Sequence, residues 1–233
     1  MNWREIKVSD DNTYFTYRGK PIFGRRFTEV FKFHEPGLAA VRDESGAYHI
    51  DRQGKPLYPE RYTKTFGFYC KRAAVVDGRE WFHINAKGKR VYLHSFSWVG
   101  NYQEELCAIR DFEGNYFHID LYGNRIYPEN YRYVGDFREG CACVMFKDGL
   151  FTHINTRGQL VHGKFFMDIG VFHKGYATAK DENGWFHIDR QGRPIYSERY
   201  LMVEPFYNGF ALVTNAKGEK FIIKETGEIV LSV

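Results

Sequence analysis

One tripeptide recurs five times at almost constant spacing, and this constrains the fold more than any other feature of the chain. It reads His49-Ile50-Asp51, His83-Ile84-Asn85, His118-Ile119-Asp120, His153-Ile154-Asn155 and His187-Ile188-Asp189, with steps of 34, 35, 35 and 34 residues. Three residues past each Asp or Asn stands a glycine: Gly54, Gly88, Gly123, Gly158 and Gly192. An apolar or aromatic pair follows, as in Leu57-Tyr58, Val91-Tyr92, Ile126-Tyr127 and Ile195-Tyr196, with Leu160-Val161 displaced by one position. Self-similarity at a fixed period means that each copy is one small supersecondary unit, buried by stacking on its neighbours.

A period near 34 also suits helical repeats, so the pattern inside the unit decides. In Trp185-Phe186-His187-Ile188-Asp189, Phe186 and Ile188 fall on one side and His187 on the other, the alternation of a strand. Asp-Arg-Gln-Gly at 51–54 and again at 189–192 stops the run after a few residues, and its glycine supplies the positive φ of a tight turn. Further along, three copies read Pro/Ser-Glu-Arg/Asn-Tyr, at Pro59 to Tyr62, Pro128 to Tyr131 and Ser197 to Tyr200. An aromatic-x-x-Gly-x-small segment then follows, as in Phe137 to Ala142 and Phe206 to Ala211. Degenerate copies flank the array at Phe15 to Phe23 and Phe221 to Gly227.

The expectation is an all-β repeat protein forming a single repeat domain over 1–233. Its units lie at about 13–46, 47–80, 81–114, 115–149, 150–183 and 184–217, with a partial unit at 218–233. Each unit reads as four short strands, near 177–180, 185–189, 193–196 and 201–206 in the sixth. Four strands per unit predict a β-propeller of short four-stranded blades. The strand count, with Glu5 to Val8 included, favours seven blades over six plus an extra hairpin. Terminal strands sharing one blade would hide an edge. An open β-solenoid of stacked hairpins is the alternative, because 34 residues is short for a blade.

The unit resembles the bacterial WG-repeat (KWG-type) family. The run from Ile126 to Tyr131 and on through Gly135 to Val144 matches the second half of that repeat, and Phe33 to Val41 matches its end. The likeness spans about residues 13 to 230. Trp81 and Trp185 stand where the family has its tryptophan, but Phe82 and Phe186 replace the glycine that follows, which marks a divergent branch. The resemblance implies an all-β array with an interaction role and carries no catalytic residues with it.

Charge and motifs narrow the function classes. With 33 basic and 29 acidic residues interspersed, the chain has no clustered basic footprint for nucleic acid. It contains no apolar run long enough to span a membrane and no secretory h-region. The four cysteines form no CxxC pair, which suits a reducing, cytoplasmic setting. The expectation is therefore a non-catalytic scaffold without a cofactor, binding a protein partner. A lectin-like module holding a glycan on repeated Tyr58, Tyr127 and Tyr196 platforms, flanked by Arg61 and Arg199, is the second reading. An enzyme with a site in an axial channel is the third, and no motif supports it.

Individual residues are weighed on the same terms. His49, His83, His118, His153 and His187, one per unit, are expected to be structural. Each would lie between units and bond a neighbouring Asp/Asn or a turn carbonyl, with no metal. Cys107, Cys141 and Cys143 occupy small-residue positions. The turns at Asp43 to Gly46, Asp148-Gly149 and Asp181 to Gly184 read as turn chemistry. Partner contacts are sought where the repeat departs from its consensus: Phe68, Tyr69 and Arg72 in the second unit, Trp98 and Tyr102 in the third, and His162 and Lys164 in the fifth.

Overall fold

The computed structural model describes residues Met1–Val233. Its strands form seven small antiparallel sheets, the number favoured by the strand count. No helix is long and apolar enough to cross a membrane. The chain divides into two compact units. One comprises Met1–Gly114 with Ile119–Asn124, the other Asn115–His118 with Arg125–Val233.

The first unit holds three complete sheets. Their strands are Ile6–Val8, Phe15–Tyr17 and Lys20–Ile22; Glu29–Val30, Ala39–Asp43 and Gly46–Ile50; and Lys64–Tyr69, Arg72–Asp77 and Glu80–Ile84. The strands Trp98–Val99 and Cys107–Arg110 also lie in it. The middle strands bury consecutive residues, such as Ala39-Ala40-Val41 and Ala73-Ala74-Val75-Val76. A strand covered on both faces needs small side chains wherever rings cross it, which is the origin of the aromatic-x-x-Gly-x-small signature.

The second unit repeats the arrangement. Its complete sheets are Tyr133–Val134, Cys141–Met145 and Phe151–Asn155; Asp168–Ile169, Ala177–Asp181 and Gly184–Ile188; and Met202–Val203, Phe210–Thr214, Lys220–Lys224 and Ile229–Ser232. Its core joins Phe166, Phe172, Phe186, Phe206, Val213 and Ile223.

Two expectations are corrected. Only the last sheet has four strands. Elsewhere the segment expected as the third strand, 193–196 in the sixth unit, is reduced to an isolated bridge, Ile188 with Pro194, and the segment expected as the fourth supplies the two-residue strand Met202–Val203 that opens the following sheet. The Pro/Ser-Glu-Arg/Asn-Tyr segment is held by an arginine, which in the copy at Pro128 to Tyr131 is Arg125. The Arg61 guanidinium donates to the Pro59 and Glu60 carbonyls, and that of Arg199 donates to those of Ser197 and Glu198. Nor do the terminal strands share a sheet, since Ile6–Val8 pairs with Phe15–Tyr17 and Ile229–Ser232 pairs with Lys220–Lys224.

The repeated Asp or Asn builds the turn after it. The Asp51 carboxylate accepts from the Gln53 and Lys55 amides, and Asp189 accepts from Gln191 and Arg193 in the same way. The glycine closing each turn has a second task. A Cβ on Gly54, Gly88, Gly123, Gly158, Gly192 or Gly227 would fall 2.5–2.9 Å from Phe23, Tyr58, Tyr92, Tyr127, His162 or Tyr196 of the preceding copy. Each turn therefore seats its bare Cα on the ring before it. Gly158→Ala, at φ +76° with the Tyr127 side chain in its path, is expected to cost about 3 kcal/mol. Gly19→Ala, at φ +77° with nothing within 4 Å, is expected to cost only about 1 kcal/mol. Urea denaturation of the two variants checks the difference.

Candidate functional site

The five repeated imidazoles form the internal machinery against which any surface site must be read. Each lies opposite a small residue on the middle strand, as His49 does with Ala40 and His187 with Thr178. Nε2 faces a backbone carbonyl 17 residues on, at the start of the following sheet: Phe66, Gly100, Gly135, Gly170 or Glu204, at 2.6–3.0 Å. A carbonyl can only accept, so Nε2 carries the proton and Nδ1 accepts. The donor to Nδ1 is the hydroxyl of Tyr58, Tyr92, Tyr127 or Tyr196, nine residues beyond its histidine. An aromatic ring of the next copy lies against each imidazole, from Tyr102 at 4.7 Å to Phe206 at 4.1 Å between centroids. These histidines are latches between successive sheets. A backbone carbonyl is thus one partner of each imidazole, while the Asp or Asn, the other partner expected, is occupied in its own turn. With both nitrogens engaged, none of the five is free to bind a metal. No group of three or more His, Cys, Asp or Glu is placed to hold one.

Burial drives the chemistry of the latch. Removal from water disfavours the imidazolium and brings His49, His83, His118, His153 and His187 down to about 4, although the carbonyl bond opposes the shift. Burial likewise raises the phenols of Tyr58, Tyr92, Tyr127 and Tyr196, keeping them as donors. Cys143, buried opposite His153, is pushed up to about 11, so its thiol is inert packing.

The fifth copy departs from this pattern. His162 replaces the tyrosine, with Nε2 3.1 Å from Nδ1 of His153. Since His153 Nδ1 accepts, His162 donates through Nε2. Its own Nδ1 is left buried without a hydrogen-bond partner.

Three of the seven residues singled out by their departure from the consensus are buried. Phe68 and Tyr102 are ring partners of His49 and His83, and His162 is the latch donor just described. Trp98 is half-buried beside Gly100. Lys164 is exposed, and its carbonyl accepts from Thr152. The supposed platforms Tyr58, Tyr127 and Tyr196 are buried too, and Arg61 and Arg199 cap Tyr48 and Phe186 at 3.8 and 3.7 Å instead. The spacing of nine between each histidine and its tyrosine was the available signal for this pairing.

The second-unit departure does reach a surface. Phe68 and Tyr69 line a groove of about 790 Å³ in the first unit, together with His34, Pro36, Leu38, Cys70, Lys71 and the turn residues Asn85 to Lys87. Ring contact at 5.6 Å joins His34 to Tyr69, and Gly67 leaves the space in which His34 lies. Cys70 and Lys71 both adopt positive φ, at 47° and 63°. Arg72 braces the tip, donating to the Cys70 and Leu121 carbonyls. Lys71 and Lys87 border an otherwise apolar wall, while Glu35 is paired with Arg4 at 2.9 Å.

No family model matches the chain, and no curated protein does. Solved structures do. The computationally designed protein Ika8 has a TM-score of 0.55 at 11% identity, over 98% of this chain and 83% of that one. BamB from Moraxella catarrhalis has 0.54 at 13%, over 98% and 81%. Hsv2 of Kluyveromyces lactis, with loop 6CD replaced by a Gly-Ser linker, has 0.53 at 10%, over 94% and 88%. At such identities the likeness concerns fold alone, and it assigns the chain to the β-propeller class, each small sheet being a short blade.

The latch makes stability depend on pH. The folded imidazoles sit below their ordinary 6.5, so the unfolded chain binds more protons between pH 6.5 and 4. Stability is complete above pH 6.5 and lost as the pH falls toward 4, each latch withdrawing about 2 kcal/mol by pH 5. Thermal melts between pH 7.5 and 4.5 should be flat above 7 and fall steeply below 6.5. His187→Gln, which keeps a donor and an acceptor, should remove roughly one fifth of that slope. His162→Tyr restores the usual donor and removes the orphaned Nδ1, and is expected to stabilise the fold at neutral pH by about 1–2 kcal/mol in urea denaturation.

Proposed function

We propose that the chain is a non-catalytic binding scaffold that captures a protein partner through the groove between His34, Tyr69 and Lys87. One observation carries this reading. The groove is the place where a departure from the repeat consensus, two residues at positive φ and an apolar wall coincide on an accessible surface. Its chemistry favours an extended segment with an apolar or aromatic side chain laid against Leu38, Phe68 and Tyr69. Carboxylates on that segment would meet Lys71 and Lys87. The likeness to WG repeats supports an interaction role, and cysteines without a CxxC pair in the sequence suit a reducing cytoplasm. The glycan reading loses its repeated platforms to burial, and the enzyme reading draws on no comparable observation.

Selection of a displayed random-peptide library on the intact chain tests the proposal. Peptides combining an aromatic with acidic residues should be enriched. Their binding should weaken roughly tenfold or more with Tyr69→Ala or with Lys71→Glu/Lys87→Glu. Peptides whose binding ignores all three changes would move the site elsewhere.

A further inference from the structure

Two equivalent turns, one in each unit, share a backbone geometry and differ in what sits on them. In the second unit, Lys174 and Gly175 turn the chain at φ 52° and 85°, between His173 and Tyr176, which bond each other in both directions. Both turn amides converge on the Glu139 carboxylate, from Lys174 at 2.5 Å and from Gly175 at 3.1 Å. Successive backbone amides aimed at one point make an anion-binding concavity. Arg190, the residue after the repeated Asp189, completes it. Its guanidinium donates to the same carboxylate at 2.9 Å and to the Glu139 carbonyl at 3.1 Å, and lies over the Phe172 ring.

Two changes leave the matching seat open in the first unit. Cys70 and Lys71 form its turn, at φ 47° and 63°, between the paired Tyr69 and Arg72. Lys71 stands five residues past the Phe66 carbonyl that receives His49, as Gly175 stands five past the Gly170 carbonyl that receives His153. Glu35 precedes Cys70 by 35 residues, the interval between Glu139 and Lys174, but its carboxylate bonds Arg4 at 2.9 Å and is 73% exposed. Ala86 follows Asn85 where Arg190 follows Asp189, so the guanidinium has no counterpart. Neither the Cys70 nor the Lys71 amide donates a hydrogen bond within the chain. The groove lined by Phe68, Tyr69, Cys70, Lys71 and Ala86 lies at this position, and Phe68 is the ring that corresponds to Phe172.

We propose that the Cys70 and Lys71 amides seat a glutamate side-chain carboxylate of the partner, in the place that Glu139 fills in the second unit. The inference rests on the groove being the binding site and adds the atoms that read the acid. Glu139 is the template, with each carboxylate oxygen accepting from one amide. Lys71 and Lys87 at the groove supply the positive charge that Arg190 brings to Glu139. Charge-assisted bonds are stronger than neutral ones, so the seat selects glutamate over glutamine.

Amide-detected NMR on the full chain tests the seat, with N-acetylglutamate methylamide as the probe, titrated to about 50 mM at constant ionic strength to populate a weak complex. The Cys70 and Lys71 amide signals should move downfield and saturate, while the glutamine analogue should leave them nearly in place. Lys71→Gly combined with Lys87→Ala keeps both amides and suits the positive φ. It should weaken the probe roughly threefold to tenfold without abolishing the response. Unmoved Cys70 and Lys71 amides, an equal response to the glutamine analogue, or a response that vanishes with the two lysines would overturn the seat. A response to N-acetylglycine in place of the probe would overturn it in favour of a chain-terminal carboxylate. Library peptides whose binding depends on Tyr69 but leaves these two amides unmoved would overturn the seat alone and keep the groove as the binding site.

Discussion

A buried imidazole needs two partners, and the repeat is organised around supplying them. Each latch histidine is removed from water and held neutral. Its nitrogens would be costly to leave unpaired. One partner is the tyrosine across its own hairpin, and the other is a carbonyl of the following sheet. The second bond joins copies that share no strand ladder, so it turns a series of thin sheets into a continuous array. The small residues opposite each imidazole and the bare glycine over each tyrosine are consequences of fitting those rings between sheets.

Three copies depart from this pattern. In the last sheet, Ile222 stands at the imidazole position and is paired with Leu231 at the tyrosine position. In the first copy, Phe15 lies within 5.7 Å of Phe23 and 5.1 Å of Phe33, the geometry of the latch with its polarity removed. The fifth copy keeps the imidazole but offers it a second imidazole, and one nitrogen of that pair is orphaned.

Much of the fold was legible because a period-2 alternation stopped by Asp-x-x-Gly admits few structures. The copy number and the hairpins follow from that pattern. The end of each unit, from the turn glycine to the next opening strand, was not legible. Its residues look extended, but arginine-to-carbonyl bonds and single bridges replace a ladder there, and composition cannot distinguish the two. The site was half legible. Departure from consensus drew attention to Phe68 and Tyr69, which line a groove, and to Arg72, which braces the turn beside it. It also drew attention to Tyr102 and His162, which vary because a ring partner or latch donor can be exchanged without leaving the core. The contributions of His34, Leu38 and Lys87 come from different turns, and only the fold brings them together.

Imidazole-detected nitrogen NMR across a pH titration tests the latch most directly. The account requires five histidines in the neutral Nε2–H form, with slowly exchanging protons, unprotonated from pH 7 down to the point where the fold is lost. Five rings titrating near 6.5 in the folded protein, or carrying the proton on Nδ1, would contradict it.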